Sequence, residues 1–391
     1  WVYQVGETRL QRKLALVHGE NTLVILWEHV SGPEVTLRLR PFPALRMHDD
    51  KLHATLLEPV VNLRGSRVEL RASEDAPPMR MRIYSPCPAP FVSLGETSTP
   101  QFYRVEKARG YDFVETLSSP GYFECTLRPG EHLAMGITTE DQAVLERDPV
   151  ETLALEYERE RRLLVRVPEE ARSGVPARLV LAADQFIIDP MRAADDAWAR
   201  AVGQDARSVI AGYHWFTDWG RDTMISLEGL TLCTGRPRTA AAILRTFQHY
   251  VRDGLLPNLF PEGGNEGLYH TADATMWFFH AVDRYLEHTQ DEELLRDFYP
   301  TMAGIIEHHL KGTRHNIRAD PADGLLSQGQ EGYQLTWMDA KVDGWVVTPR
   351  RGKPVEINAL WFNALRLMVE WSERLGKDAR PYAAAAEKAY A

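Results

Sequence analysis

The sequence has few cysteines, no excess of basic charge and no long apolar run. Its three cysteines (Cys87, Cys125 and Cys233) are scattered, so they predict neither a disulfide framework nor a metal cluster. Forty-five basic against 55 acidic residues give a net charge of −10, which argues against a nucleic-acid partner. The longest apolar runs, such as 23–27, fall far short of the roughly 18 residues that span a membrane. We therefore expect a soluble, cytoplasmic protein with no membrane partner.

Targeting and several catalytic signatures are also missing. No basic-then-apolar signal opens the chain, and because it begins at Trp1 we expect a fragment or a processed form. No Gly-x-Ser-x-Gly elbow occurs, and Glu307-His308-His309 lacks the spacing of zinc proteases. The glycine-rich segment 263–267 lacks the Lys-Ser/Thr of a phosphate loop, so it reads as a plain flexible loop.

Two kinds of pattern divide the chain. Apolar and polar residues alternate in 35–40, 68–72 and 79–83, and the turn signals between such segments predict an antiparallel β-sandwich-like domain over 1–147. Residues 148–176 read as a helical linker. From 177 to 391, apolar residues at three-to-four spacing predict helices over 177–189, 222–233, 237–251, 272–288, 291–311 and 356–375, with another beginning at 377. The fold is therefore predicted to be multidomain, all-β and then all-α, the second part being an α/α barrel or toroid rather than a stacked solenoid.

Tryptophans are concentrated in the loops of the helical part. Eight of the ten lie at or beyond Trp198, and several stand beside Asp, Arg or Asn. Indole faces stack on the C–H faces of sugar rings, while carboxylates and guanidinium groups bind ring hydroxyls. This composition predicts a carbohydrate ligand.

The first candidate segment is 212–223, directly before a helical pattern. Asp218 and Asp222 suit the N-cap and first turn of that helix, where carboxylates stabilise free N–H groups. Capping does not explain the aromatic residues crowded around them. The alternative is a sugar clamp, in which Arg221 and Asp222 bind neighbouring hydroxyls of a terminal glucose.

Two further candidate segments, 254–277 and 333–358, carry carboxyl and amide groups. Asn258 and Asp273 each lie at a helix border, where loop or first-turn chemistry competes with ligand binding. Asp339 closely follows Leu335, Trp337 and Met338, and an apolar setting raises a carboxyl pKa toward what a general acid needs. The alternative for Asp339 is a turn residue, and for Glu356 a helix-capping role.

Taken together, these stretches resemble the bacterial and archaeal glycogen debranching enzyme family, the amylo-α-1,6-glucosidase type. The matching segments are 182–186, 215–222, 335–341 and 354–361, and 109–112 and 119–121 are similar to its N-terminal β-rich domain. The resemblance spans nearly the whole chain. Departures are His214 and Glu228 where the family usually has Pro, and His270 where it usually has Asn.

The resemblance implies an (α/α)6 toroid glucosidase that removes α-1,6-linked glucose from glycogen, limit dextrin or branched maltodextrin with inversion. It places the general acid at Asp339 and the general base on a glutamate that we expect beyond Ala391, so the toroid looks truncated at its C-terminus. No cofactor and no metal are implied. By motif match, the pocket residues are Trp215, Asp218, Trp219, Arg221, Asp222, Asn258, Asp273, Trp337, Lys341, Glu356 and Asn358.

Two other functions stay open at this point. One is a different α/α-barrel glucosidase of the glucoamylase or trehalase type, with a similar pocket and another linkage. The other is a glycan-binding protein without catalysis. No alternation of strands and helices indicates a TIM-barrel glucan transferase, so we expect the glucosidase step alone.

Overall fold

The structure of the protein is a computed structural model. It describes the chain except residues 45–51, 53–59, 75, 191–196, 198–200, 202, 204, 214–215 and 262–265, and for residues 94–97 it describes the backbone alone. Two compact units are present, Trp1–Arg161 and Arg162–Ala391. Helix α2, Pro149–Val165, crosses this boundary and coincides with much of the predicted linker. The predicted domain limits at 147 and 176 stay predictions.

The first unit contains two antiparallel sheets. Their orders are β1-β2-β3-β10-β7-β6-β5 and β4-β9-β8. A short helix, α1, lies between β8 and β9 at Arg104–Arg109. In chain order the strands are β1 Val2–Val5, β2 Thr8–Leu16, β3 Thr22–Ser31, β4 Val35–Leu39, β5 Val60–Arg64, β6 Arg67–Arg71, β7 Met79–Tyr84, β8 Phe91–Phe102, β9 Val114–Leu127 and β10 His132–Thr138.

Both sheets contribute to one hydrophobic core. Leu70 of β6 and Met81 of β7 are fully buried in the same cluster as Phe123 and Leu127 of β9, which belongs to the other sheet. The side chains of β9 alternate in burial along its length because successive residues of a strand face opposite sides. The antiparallel β-region is thereby confirmed, and its two sheets share an interior as a sandwich does.

The second unit is helical, and each predicted helical segment corresponds to a helix. Short two-residue strand pairs connect them: β11 Ile187–Ile188 with β12 Ser208–Val209, β13 Arg318–Ala319 with β14 Leu326–Ser327, and β15 Lys341–Val342 with β16 Trp345–Val346. Of the described helices, none is both long and apolar enough to cross a membrane. The helices are α3 Gly174–Gln185, α4 Gly220–Leu227, α5 Pro237–His249, α6 Ala274–Thr289, α7 Glu292–Lys311, α8 Val355–Arg374 and α9 Arg380–Tyr390.

Helix α4 ends differently from its prediction. The pattern predicts one helix over 222–233, whereas the structure has α4 followed by a π-helical turn, Glu228–Leu232. A π turn inserts an extra residue into the helix without disturbing the apolar spacing on either side, so periodicity alone does not reveal it. Such turns are frequent at functional sites.

Large apolar side chains fill the interior of the helical unit. Helix α6 packs against both α4 and α8. Phe279 of α6 and Trp371 of α8 are fully buried and stack with ring centroids 6.1 Å apart. Helix α7 adds Leu294, Leu295 and further residues to the same core. The closure of these helices into an (α/α)6 toroid stays a prediction.

Two leucines on α7 offer a matched test of this core. Leu295 is fully buried, whereas Leu310 is 47% exposed. We expect Leu295→Ala to lower the free energy of unfolding by about 2–5 kcal/mol, because the deletion leaves a cavity. Leu310→Ala, the same substitution on the same helix, should cost about 0.5 kcal/mol or less. Urea unfolding followed by tryptophan fluorescence measures both, and equal losses would contradict the assigned packing.

Candidate active site

Close backbone contact places the start of α4. The Gly220 N–H donates to the carbonyl oxygen of Asn258 at 2.9 Å. A Cβ at Gly220 would lie 2.1 Å from the Pro257 carbonyl oxygen, so a larger residue cannot occupy this position without a backbone shift. The next residue, Arg221, donates its backbone N–H to the side-chain oxygen of Asn258 at 3.2 Å. Asn258 is 1% exposed and therefore holds α4 in place from within the protein.

The guanidinium of Arg221 joins two carboxylates. Its Nε donates to both oxygens of Asp273 at 3.0 and 2.9 Å, and its Nη1 donates to Oδ2 of Asp339 at 2.9 Å. Arg221 and Asp273 are buried, at 7% and 1% exposure. Burial acts to lower the pKa of Arg221, but the two carboxylates outweigh it and raise that pKa, so the charge is retained.

Backbone contacts bring the Asp339 loop to the start of α6. The Ala272 N–H donates to the carbonyl oxygen of Leu335 at 2.8 Å, directly before Asp273 and α6. Thr336 is buried, and its hydroxyl accepts from the Met338 N–H at 3.2 Å, which forms a tight turn. Asp339 therefore reaches Arg221 from a loop that is attached at Leu335 beside the start of α6 and turns at Thr336.

The surroundings of Asp339 differ from the apolar setting that the sequence predicts. Its side chain is 35% exposed and touches a guanidinium. Trp337 is 56% exposed and Met338 is 36% exposed. The apolar neighbours in sequence turn outward because the buried positions of this loop go to Leu335 and Thr336. Asp339 is consequently open to solvent on one side and fixed on the other.

Asp222 lies in the first turn of α4 beside Arg221 and is exposed. Loss of solvent around its carboxyl raises its pKa above the ordinary value; Arg221 opposes this, and Asp339 and Asp273 add to it. The first-turn position is the one predicted. The predicted N-cap at Asp218 does not occur, because Trp219 occupies that position and α4 begins at Gly220.

Glu356 forms a second ion pair near this group. It lies in the first turn of α8 and binds both Nη atoms of Arg350, with Nη2 to Oε2 at 2.7 Å. Hydrogen bonding from Arg350 lowers the pKa of Glu356, and the Trp337 indole contributes in the same direction. Glu356 raises the pKa of Arg350, and the charge of Asp273 adds a smaller effect in the same direction. The two ion pairs therefore influence each other electrostatically.

Three predicted pocket residues bind to the protein itself. Oδ2 of Asp218 accepts from the Ser208 hydroxyl at 2.7 Å, which attaches this buried residue to β12. The Asn358 amide accepts from the Leu326 N–H at 2.6 Å and donates to the Leu326 carbonyl oxygen at 3.0 Å. Lys341 donates to the Gly332 carbonyl oxygen at 3.1 Å. These contacts hold β12, β14 and the Asp339 loop.

The structure describes only one of the two tryptophans of segment 212–223. Trp219 is half-buried, lies edge-on to Phe216 at 6.2 Å, and has a buried indole N–H with no acceptor among the described residues. Trp215 lies outside the described residues. Its predicted role in the pocket stays a prediction.

The sequence did not single out Arg350 or give His315 a role in the site, and it noted His270 only as a departure from the family pattern that flanks the pocket. Arg350 adopts a left-handed backbone conformation at φ 44°, which is uncommon for a residue other than glycine and clusters at functional sites. Burial lowers the pKa of His270, the charge of His315 adds to this, and the charge of Asp339 opposes it. His315 also contacts Tyr333, with ring centroids 4.5 Å apart. No spacing in the sequence pairs residues so distant along the chain.

Both parts of the chain match known protein families. Residues 181–391, more than half of the chain and all of the group around Arg221, match the family model described as amylo-alpha-1,6-glucosidase. The chain belongs to the amylo-alpha-1,6-glucosidase family. Residues 1–134 match the family model of the glycogen debranching enzyme N terminal. Membership confirms the resemblance seen in the sequence.

Relatives of this chain include the glycogen debranching enzyme of Saccharomyces cerevisiae, which is 29% identical to it over 227 residues. The match covers 43% of this chain and 15% of the yeast protein, so the chain spans a small part of that relative. A protein described as a kojibiose phosphorylase from the human microbiome gives a TM-score of 0.43 at 10% identity, with 99% of this chain and 54% of that one covered. A Klebsiella oxytoca rhamnosidase gives 0.41 at 13%, with 98% and 70% covered.

The two carboxylates that bind Arg221, those of Asp273 and Asp339, differ in burial and allow a matched test of its effect. The Asp273 side chain is 2% exposed and that of Asp339 is 35% exposed. We expect Asp273→Asn to lower the free energy of unfolding by about 3–5 kcal/mol, because it leaves a buried charge poorly compensated. Asp339→Asn should cost about 1 kcal/mol or less, because the lost carboxylate is partly exposed and Asp273 still pairs with Arg221. Chemical unfolding compares the two, and a larger loss for Asp339→Asn would contradict this assignment.

Proposed function

We propose that this protein is an inverting glycoside hydrolase that removes α-1,6-linked glucose from branch points, with Asp339 as the general acid. The observation that carries the proposal is the hydrogen bond from buried Arg221 to one oxygen of a partly exposed Asp339. A general acid needs a fixed position and access to its substrate, and this arrangement supplies both. Family membership supports a glycosidic substrate.

The chemistry follows from the two oxygens of Asp339. Arg221 binds Oδ2, and among the described residues Oδ1 has no hydrogen bond, so Oδ1 carries the proton in the acid form of Asp339, as distinct from the carboxylate form that pairs with Arg221. That proton passes to the glycosidic oxygen as the bond to the anomeric carbon breaks. Water, activated by a second carboxylate, attacks the opposite face and inverts the configuration. We assign that second carboxylate to no described residue of this chain.

Nine of the eleven predicted pocket residues take one of two roles in this proposal. Asp222 and Trp337 are exposed and would contact the sugar through a carboxylate and an indole face. Glu356 is half-exposed, but both of its oxygens already bind Arg350, so it acts as a positioning residue. Arg221, Asn258 and Asp273 are buried and act as positioning residues, because their polar atoms already bind the protein. Asp218, Lys341 and Asn358 position strands and loops in the same way.

The proposed substrates are glycogen, limit dextrin and branched maltodextrin, and the proposed location is the cytoplasm. These follow from the family and from the sequence rather than from the site geometry. A pocket with the same groups suits other α-glucosidic linkages, so a glucoamylase- or trehalase-like activity is the competing outcome of the test.

Replacement of Asp339 tests the proposal. The full-length protein should release glucose from a dextrin with single α-1,6-linked glucose stubs, and Asp339→Asn should slow this by about 10²–10⁴-fold. Asp343→Asn is the matched control, because Asp343 lies four positions away in the β15–β16 turn and should leave the rate unchanged. Proton NMR of the first product identifies the anomer and therefore inversion or retention.

Three outcomes would contradict the proposal. An unchanged rate for Asp339→Asn removes the assigned acid. Faster release from maltose than from the branched dextrin indicates the glucoamylase-like alternative. Binding of the dextrin with no release of glucose by the wild-type protein indicates a glycan-binding protein.

A further inference from the structure

Three side chains with metal-binding atoms meet where the π turn contacts the end of α6. They are Glu228, Cys233 and His288, and one ligand atom from each lies within 4.8 Å of the other two. Cys233 and His288 are exposed and Glu228 is half-exposed. Of the described residues, no other three His, Cys, Asp or Glu side chains come together in this way.

Local structure explains why these residues meet. Glu228 opens the π turn and Cys233 directly follows it, so both lie at the end of the α4 segment. His288 lies in the last turn of α6, which packs against that turn. The three ligands thus come from two helices whose backbones are fixed by packing, and the side chains alone have to move.

We propose that Glu228, Cys233 and His288 form a Zn²⁺ site on the surface of the helical unit. A thiolate, an imidazole and a carboxylate are the donors that zinc takes in proteins. With zinc–ligand distances of about 2.0–2.3 Å, tetrahedral donors lie roughly 3.3–3.8 Å apart. The observed spread of up to 4.8 Å therefore closes with side-chain displacements of about 1–1.5 Å. A water molecule completes the coordination.

The imidazole of His288 already presents the correct nitrogen. Its Nδ1 lies 2.9 Å from the carbonyl oxygen of Arg284, and a carbonyl can only accept, so Nδ1 carries the proton. In the neutral ring Nε2 is then the atom with the free electron pair, and it points to Glu228 at 3.9 Å. A hydrogen bond from the second nitrogen to a backbone carbonyl is the usual support of a metal-binding histidine.

Arg284 is the competitor for this site. Its Nη2 donates to Glu228 at 2.7 Å, and its Nη1 binds Glu287. Arg284 therefore already occupies the Glu228 carboxylate that a metal would bind. A bound cation would repel the guanidinium, and Arg284 can retain Glu287 when it leaves Glu228.

The site joins the end of α4 to the end of α6, and both helices carry active-site residues at their opposite, N-terminal ends. Zinc would therefore stabilise the pair of helices rather than take part in hydrolysis. The inference stands whether or not the proposed glucosidase activity is confirmed, because it rests on different residues.

Cobalt provides the direct test. The full-length protein, kept reduced with a phosphine, should develop a thiolate-to-cobalt charge-transfer band when Co²⁺ is added, and Zn²⁺ should remove it. Cys233→Ser should abolish the band, and His288→Ala should weaken binding by tenfold or more. Cys87→Ser, which removes a thiol of the other unit, should leave the band unchanged. Arg284→Gln should tighten binding, because it removes the competing cation.

Thermal unfolding gives a second measurement. Zn²⁺ should raise the Tm of the wild-type protein in a concentration-dependent manner and leave that of Cys233→Ser unchanged. Circular dichroism checks that each variant is folded. A band that survives in Cys233→Ser, a wild-type protein that binds Co²⁺ without a band, or equal Tm shifts in both proteins would each overturn the proposal.

Discussion

The candidate site depends on one buried cation. Arg221 connects Asp273, 52 residues away, and Asp339, 118 residues away. A guanidinium taken out of water is costly unless carboxylates compensate it, and here two do so from different loops. The two carboxylates therefore compensate the charge of Arg221. Together, the three side chains fix the relative positions of the start of α4, the start of α6 and the Asp339 loop.

The helices were predictable because their information is local. Apolar residues at three-to-four spacing reflect one buried face, and α6, α7 and α8 begin and end close to where the pattern predicts. The π turn after α4 was not predictable, since an extra residue in a helix leaves no mark in composition. The sequence predicted Asp339 as a functional residue. Its partner Arg221 lies 118 residues away along the chain, so no local pattern links the two.

The interpretations of the acidic residues at helix ends show the limit of local reasoning. Capping and ligand binding were the alternatives for Asp218 and Asp273. The structure adds a third role for each, because Asp218 binds Ser208 and Asp273 binds Arg221, without a side-chain cap on either helix. A short carboxylate serves all three roles with the same residue type, so only the partner distinguishes them.

The apolar setting expected for Asp339 fails for a related reason. Trp337 and Met338 are neighbours of Asp339 in sequence, but a turn at Thr336 sends them toward solvent. The exposed indole then lies beside the Glu356–Arg350 pair instead of covering the carboxyl of Asp339. An aromatic surface next to charged, half-exposed groups suits a sugar, whose rings present C–H faces and hydroxyl edges together. The loop therefore does not enclose the carboxyl of Asp339 in apolar side chains. It presents instead an exposed surface that suits sugar recognition.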